Sequence, residues 1–249
     1  MTKIIAVFNQ AGGVAKTTLT MNLGYQLAVR GHKVLLVDMD PQASLTAFMG
    51  LEPYDLEVTI ADSLLEDASL PVHHEIHRMD LIPANITLSR AEFQLASAIA
   101  REWKLKRALS SIVNHYDFFL IDCPPTLGIL SILSLVASTH VLIPLQTHYK
   151  AYKGIDLLLD TIRQIQDQVN PELKIAGIVP TIFAKTGQDR VILDAVKQQL
   201  ENIAPIYPAV PRAIAFADSS MAHQPLAIYD PKHQAVETLD LIAEQLEVM

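Results

Sequence analysis

The sequence predicts an α/β fold in which a twisted, mainly parallel sheet is covered by helices on both faces. Short apolar runs alternate with longer segments of helical periodicity along the whole chain. Several runs are apolar at successive positions, which is typical of strands buried on both faces of a sheet. The chain has 249 residues, 50% of them hydrophobic, and no linker-like or low-complexity stretch, so a single domain over residues 1–249 is expected.

Runs of apolar and β-branched residues predict the strands. In chain order they are residues 3–9 (KIIAVFN), 33–38 (KVLLVD), 79–83 (MDLIP), 117–122 (DFFLID), 140–145 (HVLIPL) and 174–181 (KIAGIVPT), with a short strand at 206–209.

Helical periodicity predicts the segments between these strands. The first predicted helix places Leu19, Leu23 and Leu27 in one stripe and ends before Gly31, a residue typical of helix C-termini. The predicted helices are residues 17–30, 88–100, 102–114, 127–137, 149–168, 190–200 and 233–247. Residues 50–78 are the least regular region and are interpreted as helix and loop at the sheet edge.

Composition excludes several classes of protein. The single cysteine, Cys123, rules out a disulfide framework or a multi-thiolate cluster within the chain. A net charge of −8 argues against a globally basic nucleic-acid binder, although a local basic patch stays open. The sequence contains no run of about 18 apolar residues, so no membrane span is expected. A cytoplasmic protein is expected.

A phosphate-binding loop is predicted after the first strand, because ligands of open α/β sheets bind beyond the carboxyl ends of the strands. Residues 9–18 read NQAGGVAKTT, whereas the usual pattern is G-x-x-x-x-G-K-[ST]. Gln10 and Ala15 replace its two glycines. Gly12 and Gly13 still let the backbone approach a phosphate, and the amides of residues 13–18 can surround it.

Three side chains give this loop its predicted chemistry. Lys16 would reach the β and γ phosphates, and the Thr17 hydroxyl would bind Mg²⁺. Asp122, at the end of a later strand, would hold that Mg²⁺ through water. The alternative is an ordinary strand-to-helix turn with a solvated lysine.

Two further carboxylates follow the second predicted strand, in the segment DMDPQ. Asp38 and Asp40 are candidate catalytic residues together with Lys16. The alternative is that one of them only caps a turn, since Asp before Pro is common there.

The motifs together resemble the ParA/MinD family of deviant Walker ATPases. The resemblance rests on N-Q-x-G-G-V-x-K-T-T, V-L-L-V-D-x-D-P-Q, I-D-C-P-P-T-L-G and a Y-D-P near residue 229, and it covers nearly the whole chain. It implies a P-loop fold, ATP and Mg²⁺ as cofactors, and slow hydrolysis stimulated by a partner protein. It also implies an ATP-driven homodimer, with two nucleotides at the interface, that positions DNA or cytoplasmic cargo.

The resemblance also suggests roles for individual residues. Asp40 would orient or deprotonate the attacking water, and Asp38 would support the Mg²⁺ and water network. The adenine contact would fall near Thr181 and Pro211. The nucleotide-binding candidates are Ala11, Gly12, Gly13, Val14, Ala15, Lys16, Thr17, Thr18, Lys150 and Pro211.

One departure from the family pattern concerns the signature lysine before the two glycines, which crosses the dimer to the partner's nucleotide. Here that position is Ala11. Its absence resembles the McdA (maintenance of carboxysome distribution) subgroup, which spaces carboxysomes along the nucleoid with an adaptor protein. The alternatives are a plasmid- or chromosome-partitioning ParA, an ordinary ParA whose lysine was replaced, and a small-molecule synthetase on the same fold.

A cation elsewhere should then replace the missing lysine. Lys150 and Lys153 follow a predicted strand and project from one face of the next helix. Lys150 is preferred because it is nearer the strand end. The alternative is two ordinary solvated lysines.

Partner surfaces are predicted from charge. In the resembling ATPases, sparse basic residues of the last third form a track for non-specific DNA, and Arg190 and Arg212 are the candidates here. The basic run 101–107 is interpreted as an exposed helix face, with a nucleic-acid patch as the alternative. The last predicted helix carries four acids and no Lys or Arg over residues 237–249, so no membrane binding is expected.

Two other candidates are set aside. The segment HHEIH at residues 73–77 lacks the spacing of a zinc protease and is interpreted as a solvated segment. Cys123 is interpreted as a small buried apolar residue rather than a nucleophile.

Overall fold

The computed structural model of the protein describes residues 2–66, 68–148 and 154–249. Seven strands form one sheet in the order β3-β4-β2-β5-β1-β6-β7, and every neighbouring pair is parallel except β3 with β4. The strands are β1 (Lys3–Val7), β2 (Val34–Asp38), β3 (His73–Ile76), β4 (Met79–Ile82), β5 (Phe118–Asp122), β6 (His140–Gln146) and β7 (Lys174–Thr181). The predicted fold class is confirmed.

Helices cover both faces of this sheet. They are α1 (Lys16–Val29), α2 (Ser44–Phe48), α3 (Ile60–Glu66), α4 (Thr87–Leu95), α5 (Lys104–Ser110), α6 (Ile129–Ala137), α7 (Ile155–Gln168), α8 (Gly187–Leu200), α9 (Ala215–Met221), α10 (Leu226–Tyr229) and α11 (Gln234–Val248), with 3-10 turns at Pro53–Asp55, Arg101–Trp103 and Val113–His115. None of the helices in the described ranges combines the length and hydrophobicity that a bilayer span requires.

Two cores lie on opposite faces of the sheet, because β1, β2 and β5 are buried on both sides. One core packs α3 to α8 against the sheet, and the other packs α1, α2 and α11. The apolar stripe of α11, which includes Leu239, Ile242 and Leu246, is fully buried in the second core. Arg30 at the end of α1 pairs with Asp240 and Glu247 at 3.0 and 2.9 Å. The last helix is therefore part of the domain.

Two predictions about elements were wrong. Residues 50–78 contain an edge strand, β3, because His73 and Ile76 pair antiparallel with β4. Residues 206–209 form no strand, and Ile206 makes only an isolated bridge with Ile178. A single hydrogen-bonded bridge leaves this segment as loop, although its apolar side chains pack as a strand's would.

Gly177 on β7 fixes how that loop docks. The β6–β7 register shifts between Val141 and Leu142, so Gly177 follows a bulge. A Cβ there would lie 2.9 Å from the Pro205 carbonyl oxygen and would clash with the Tyr207 ring. The Tyr207 hydroxyl donates to the Ala176 carbonyl at 3.0 Å. Glycine is therefore required for residues 205–210 to lie against the sheet.

We expect Gly177→Ala to lower the free energy of unfolding by about 1–3 kcal/mol, because the backbone oxygen of Pro205 cannot move away without breaking its bond to β7. Thermal denaturation should show a fall of several degrees in Tm. Gly187→Ala is the matched control, since nothing lies within 4 Å of a Cβ at Gly187. Equal melting of the two variants would contradict this role for Gly177.

Candidate functional site

The loop between β1 and α1 has the conformation of a phosphate-binding loop. Gly13 and Ala15 have positive φ angles of 71° and 69°, and α1 begins directly afterwards at Lys16. An alanine with positive φ is strained by about 1–2 kcal/mol, which explains why glycine is usual at this position. Backbone amides before a helix N-terminus attract anions, so the local geometry suits a phosphate group despite Ala15.

Hydrogen bonds from buried side chains connect this loop to the sheet. Asn9 donates from Nδ2 to the Pro144 carbonyl at 2.7 Å, and its Oδ1 accepts from the Ala11 amide at 2.9 Å. The Thr181 hydroxyl donates to the Val14 carbonyl at 3.1 Å. These bonds join the loop to β6 and β7, so its shape is fixed by the sheet. Sequence reasoning missed Asn9, whose position at the end of a strand was the available signal.

Lys16 is folded back onto its own loop. Its Nζ donates to the Ala11 carbonyl at 2.9 Å, and the residue is only 7% exposed. Burial lowers the pKa of Lys16, and the nearby carboxylate of Asp122 opposes that shift. The ammonium group is thus held where a phosphate oxygen could take the place of the carbonyl.

Asp122 is the most unusual group of the site. It is buried, and neither carboxylate oxygen has a hydrogen-bond partner in the described part of the chain. Burial and the neighbouring Asp38 carboxylate raise the pKa of Asp122 well above its usual range. The Thr17 hydroxyl lies close enough to lower that pKa in part, but it is outside hydrogen-bonding geometry. An unpaired buried carboxylate is costly unless a cation compensates it.

These residues fit Mg²⁺. The orphaned oxygens of Asp122 and the Thr17 hydroxyl are hard oxygen ligands. The described residues contain no cluster of three or more His, Cys, Asp or Glu side chains suited to a metal. Mg²⁺ keeps several waters and binds few protein groups beside substrate phosphates.

Asp38 lies behind the site rather than in it. It is fully buried beside Asp122, its partner in the β2–β5 register. Its Oδ2 accepts from the Thr46 amide at 2.9 Å and from the Thr46 hydroxyl at 2.7 Å, and its Oδ1 accepts from the Asp40 amide at 3.1 Å. Burial raises the pKa of Asp38 to about 6. Asp38 thus positions Thr46 and Asp40, and its role as a catalytic residue that supports the Mg²⁺ and water network stays a prediction. Sequence reasoning missed Thr46.

A cavity of about 840 Å³ opens in front of the loop. The predicted nucleotide-binding and catalytic residues that line it are Gly12, Gly13, Ala15, Lys16, Thr17, Thr18, Asp40 and Pro211. Pro125 closes one side, where it would lie 3.8 Å from a Cβ at Gly12. The far end is formed by α2 and α9, with the apolar side chains of Phe48 and Phe216. Those two residues carried no signal in the sequence.

Ala11 and Val14 lie on the other side of the loop. With Gly12 they line a second cavity of about 480 Å³, whose polar walls include Asn9 and Gln146. The structure does not bring Ala11 or Val14 to the main cavity, since Val14 is buried beneath the loop.

The remaining predicted residues are dispersed. Arg212 is exposed at the rim of the main cavity, so the structure places this DNA candidate beside the nucleotide candidates. Arg190 is exposed on α8. Lys150 and Lys153 lie outside the described residues.

The two candidates set aside have no part in this cavity. Cys123 is buried, and burial raises the pKa of its thiol to about 12, so it is not a ready nucleophile. The HHEIH segment belongs mainly to the half-exposed strand β3, where His74 pairs with Asp80 at 2.7 Å.

Comparison with known proteins agrees with this geometry. Residues 2–175 match a family described as an AAA domain. The sporulation initiation inhibitor protein Soj of Bacillus subtilis is 40% identical and covers 98% of both chains. The chromosome-partitioning ATPase Soj of Treponema pallidum is 35% identical and covers 99% of this chain and 97% of its own.

Two solved structures share the fold. The cobyrinic acid a,c-diamide synthase of Mycobacterium smegmatis, with bound ADP and magnesium, has a TM-score of 0.86 and 36% identity, covering 98% of this chain and 93% of that one. Apo McdA of Cyanthece has a TM-score of 0.88 over 99% and 100% of the two chains, but its 23% identity shows the fold alone. From the family match and the near full-length identity to the Soj proteins, the chain belongs to this AAA domain family, within the ParA/MinD group of P-loop proteins.

Proposed function

We propose that this protein is an ATP-dependent dimerising switch ATPase that positions DNA in the cell. The observation that carries the proposal is the orphaned, buried Asp122 carboxylate beside Lys16 and Thr17, two residues that line a cavity that a nucleotide fits. The ADP and magnesium bound to the structural relative from Mycobacterium smegmatis support ATP and Mg²⁺ as the cofactors.

Binding of ATP would change few contacts of the loop. The Lys16 ammonium group exchanges the Ala11 carbonyl for the β and γ phosphates, and the amides before α1 donate to phosphate oxygens. Thr17 and Asp122 would hold Mg²⁺, which when bound would supply positive charge beside the phosphates. Asp40 lines the same cavity and orients the attacking water, while Asp38 and Thr46 fix the segment that carries it.

The cargo is inferred from the relatives. The two Soj proteins are 40% and 35% identical and one of them is named a chromosome-partitioning ATPase, whereas the likeness to McdA concerns the fold. Partition of chromosomal or plasmid DNA is therefore the better supported cargo, and carboxysomes are the alternative. An adaptor or activator protein would link the dimer to its cargo and stimulate slow hydrolysis. Lys150 remains the proposed replacement for the missing lysine at Ala11.

A small-molecule synthetase is the second candidate. Two observations favour it, namely the 36% identity to the structure named cobyrinic acid a,c-diamide synthase and the second cavity with the polar side chains of Asn9 and Gln146. A synthetase has no need of ATP-specific dimers, so oligomeric state separates the two functions.

We expect the full chain to be a monomer without nucleotide or with ADP and a dimer with ATP and Mg²⁺, as measured by size-exclusion chromatography with light scattering. The physical reason is that the γ-phosphate contacts complete a surface that ADP leaves incomplete. Equal behaviour with ATP and ADP would contradict the switch.

With ATP and Mg²⁺ bound, the dimer should bind duplex DNA, because dimerisation doubles the number of cationic side chains on one surface. Binding should fall about tenfold or more as salt is raised, and the nucleoid should be its cellular site. Arg190→Glu should weaken it, and Arg163→Glu on α7 is the matched control. DNA binding that is insensitive to salt would contradict the DNA-binding part of the proposal.

A further inference from the structure

A basic and apolar surface lies apart from the cavity, on the side of the domain formed by α4 and α5. We define the α4–α5 surface as Arg90, Phe93, Ile99, Arg101, Lys106 and Arg107, all of which are exposed. Residues 90–107 carry five basic and two acidic side chains in a chain whose net charge is −8. The two acids, Glu92 and Glu102, are half-buried. The outward charge is therefore positive.

Large apolar side chains stand among these cations. Phe93 is 82% exposed and Ile99 is 95% exposed, while Ile86 just before α4 and Leu127 next to Gly128 are 53% and 47% exposed. Ile86 precedes α4 with helical dihedral angles, and Phe93 lies seven residues later on α4, which places the two on one helix face. Single exposed apolar residues are ordinary, but a group of this kind marks an interaction surface.

Local contacts fix the cations in place. The Arg101 guanidinium donates to the Ala96 carbonyl at the end of α4, where a cation also complements the helix dipole. Lys106 Nζ lies 5.3 Å from the centre of the Trp103 ring. Both α4 and α5 pack against α3 and α6, so the surface belongs to the rigid domain.

The surface also contacts the loop that closes the nucleotide cavity. The Glu92 carboxylate lies so close to Gly128 that a Cβ at that position would clash with it. Residues 125–128 lead from there back to Pro125, which lines the cavity and faces Gly12 of the phosphate loop, where an added Cβ would lie 3.8 Å from Pro125. A partner on the α4–α5 surface would thus be linked, through Glu92 and residues 125–128, to a wall of the cavity.

We propose that the α4–α5 surface binds an acidic segment of a partner protein that carries apolar side chains at helical spacing, and that Glu92 couples its binding to the nucleotide. Carboxylates of the segment would pair with Arg90, Arg101 and Lys106, and its apolar side chains would cover Phe93 and Ile99. The coupling part of this proposal rests on the proposed function, because it names the surface through which an activator would act.

Charge and hydrophobicity together distinguish three possible partners of the α4–α5 surface: a second copy of the chain, DNA and an acidic peptide. A second copy of the chain would bring this basic surface against itself in a symmetric contact, and like charges would repel. DNA would match the cations, but its phosphates offer nothing to Phe93 and Ile99, and protein–DNA interfaces are strongly polar. An acidic, apolar peptide satisfies both kinds of side chain.

The test uses the full chain and a short fluorescent peptide with Glu and Leu at helical spacing, followed by fluorescence anisotropy. We expect binding without nucleotide, and a loss of about tenfold or more in affinity when the Glu residues are replaced by Lys. The double variant Arg90→Glu with Phe93→Ser should lose binding by a similar factor. Its matched control, Lys197→Glu with Val191→Ser, makes the same exchange on the exposed face of α8 and should bind as the parent does.

Coupling is tested in the same preparations. The peptide should bind the ATP-loaded and ADP-loaded protein with affinities that differ about fivefold or more, and Glu92→Ala should abolish that difference while keeping the binding. Basal ATP hydrolysis should be unchanged in the Arg90→Glu, Phe93→Ser variant.

Three results would overturn the proposal. The first is equal binding of the acidic and the basic peptide. The second is a double variant that still binds the peptide but no longer binds duplex DNA or phosphatidylglycerol vesicles. The third is loss of dimerisation in that variant, which would assign the surface to a second copy. Peptide binding is first measured without nucleotide, so it does not depend on the proposed function. Failure of the proposed function would appear separately, as an oligomeric state that does not change with ATP.

Discussion

Lys16→Ala is expected to lower the affinity for ATP by about a hundredfold or more. Each charge-assisted contact of Lys16 with a phosphate contributes roughly 1.5–3 kcal/mol, and the ammonium group is placed to reach two phosphates. Titration with a fluorescent ATP analogue measures the affinity directly. The rise in Tm on adding ATP and Mg²⁺ gives a second readout and should disappear in the variant.

The fold should survive this change. Lys16 is buried and, within the described residues, donates to the Ala11 carbonyl of its own loop, so its removal leaves the core intact. Lys174→Ala, an exposed lysine at the start of β7, is the matched control and should bind ATP normally. Near-parental ATP affinity in Lys16→Ala would remove the basis for the phosphate-loop assignment.

Asp40→Ala is expected to leave ATP binding intact and to slow hydrolysis by about a hundredfold or more, the range typical of a lost general base. The ATP-bound dimer should then persist. Single-turnover measurement of phosphate release, with ATP affinity measured in parallel, separates the chemical step from binding.

A structural role for Asp40 is tested by Asp40→Asn. Asp40 Oδ1 accepts from the Gln42 amide at 2.9 Å, and an asparagine oxygen can keep that bond. If Asp40→Asn hydrolyses ATP like the parent, the carboxylate serves the turn and not the chemistry. Asp194→Ala on the exposed face of α8 is the control for loss of a surface charge.

Local sequence patterns determined much of this protein. Unbroken apolar runs predicted six of the seven strands, because a strand buried on both faces is apolar at successive positions. The loop at residues 9–18 was found from its glycines, lysine and threonines, since phosphate binding depends mainly on backbone amides at a helix start. The HHEI strand was missed because an edge strand is half-exposed and has no apolar run.

Only the tertiary structure decided how these parts meet. Strand order depends on pairing between distant segments, and it is this order that sets β5 between β1 and β2 and so places Asp122 beside Asp38. Whether a carboxylate is satisfied or orphaned depends on its neighbours in space, so the Thr46 bonds of Asp38 and the unpaired oxygens of Asp122 could not be foreseen. The position of Arg212 at the cavity rim follows from the docking of residues 205–211 on β7, which Gly177 permits and no local pattern indicates.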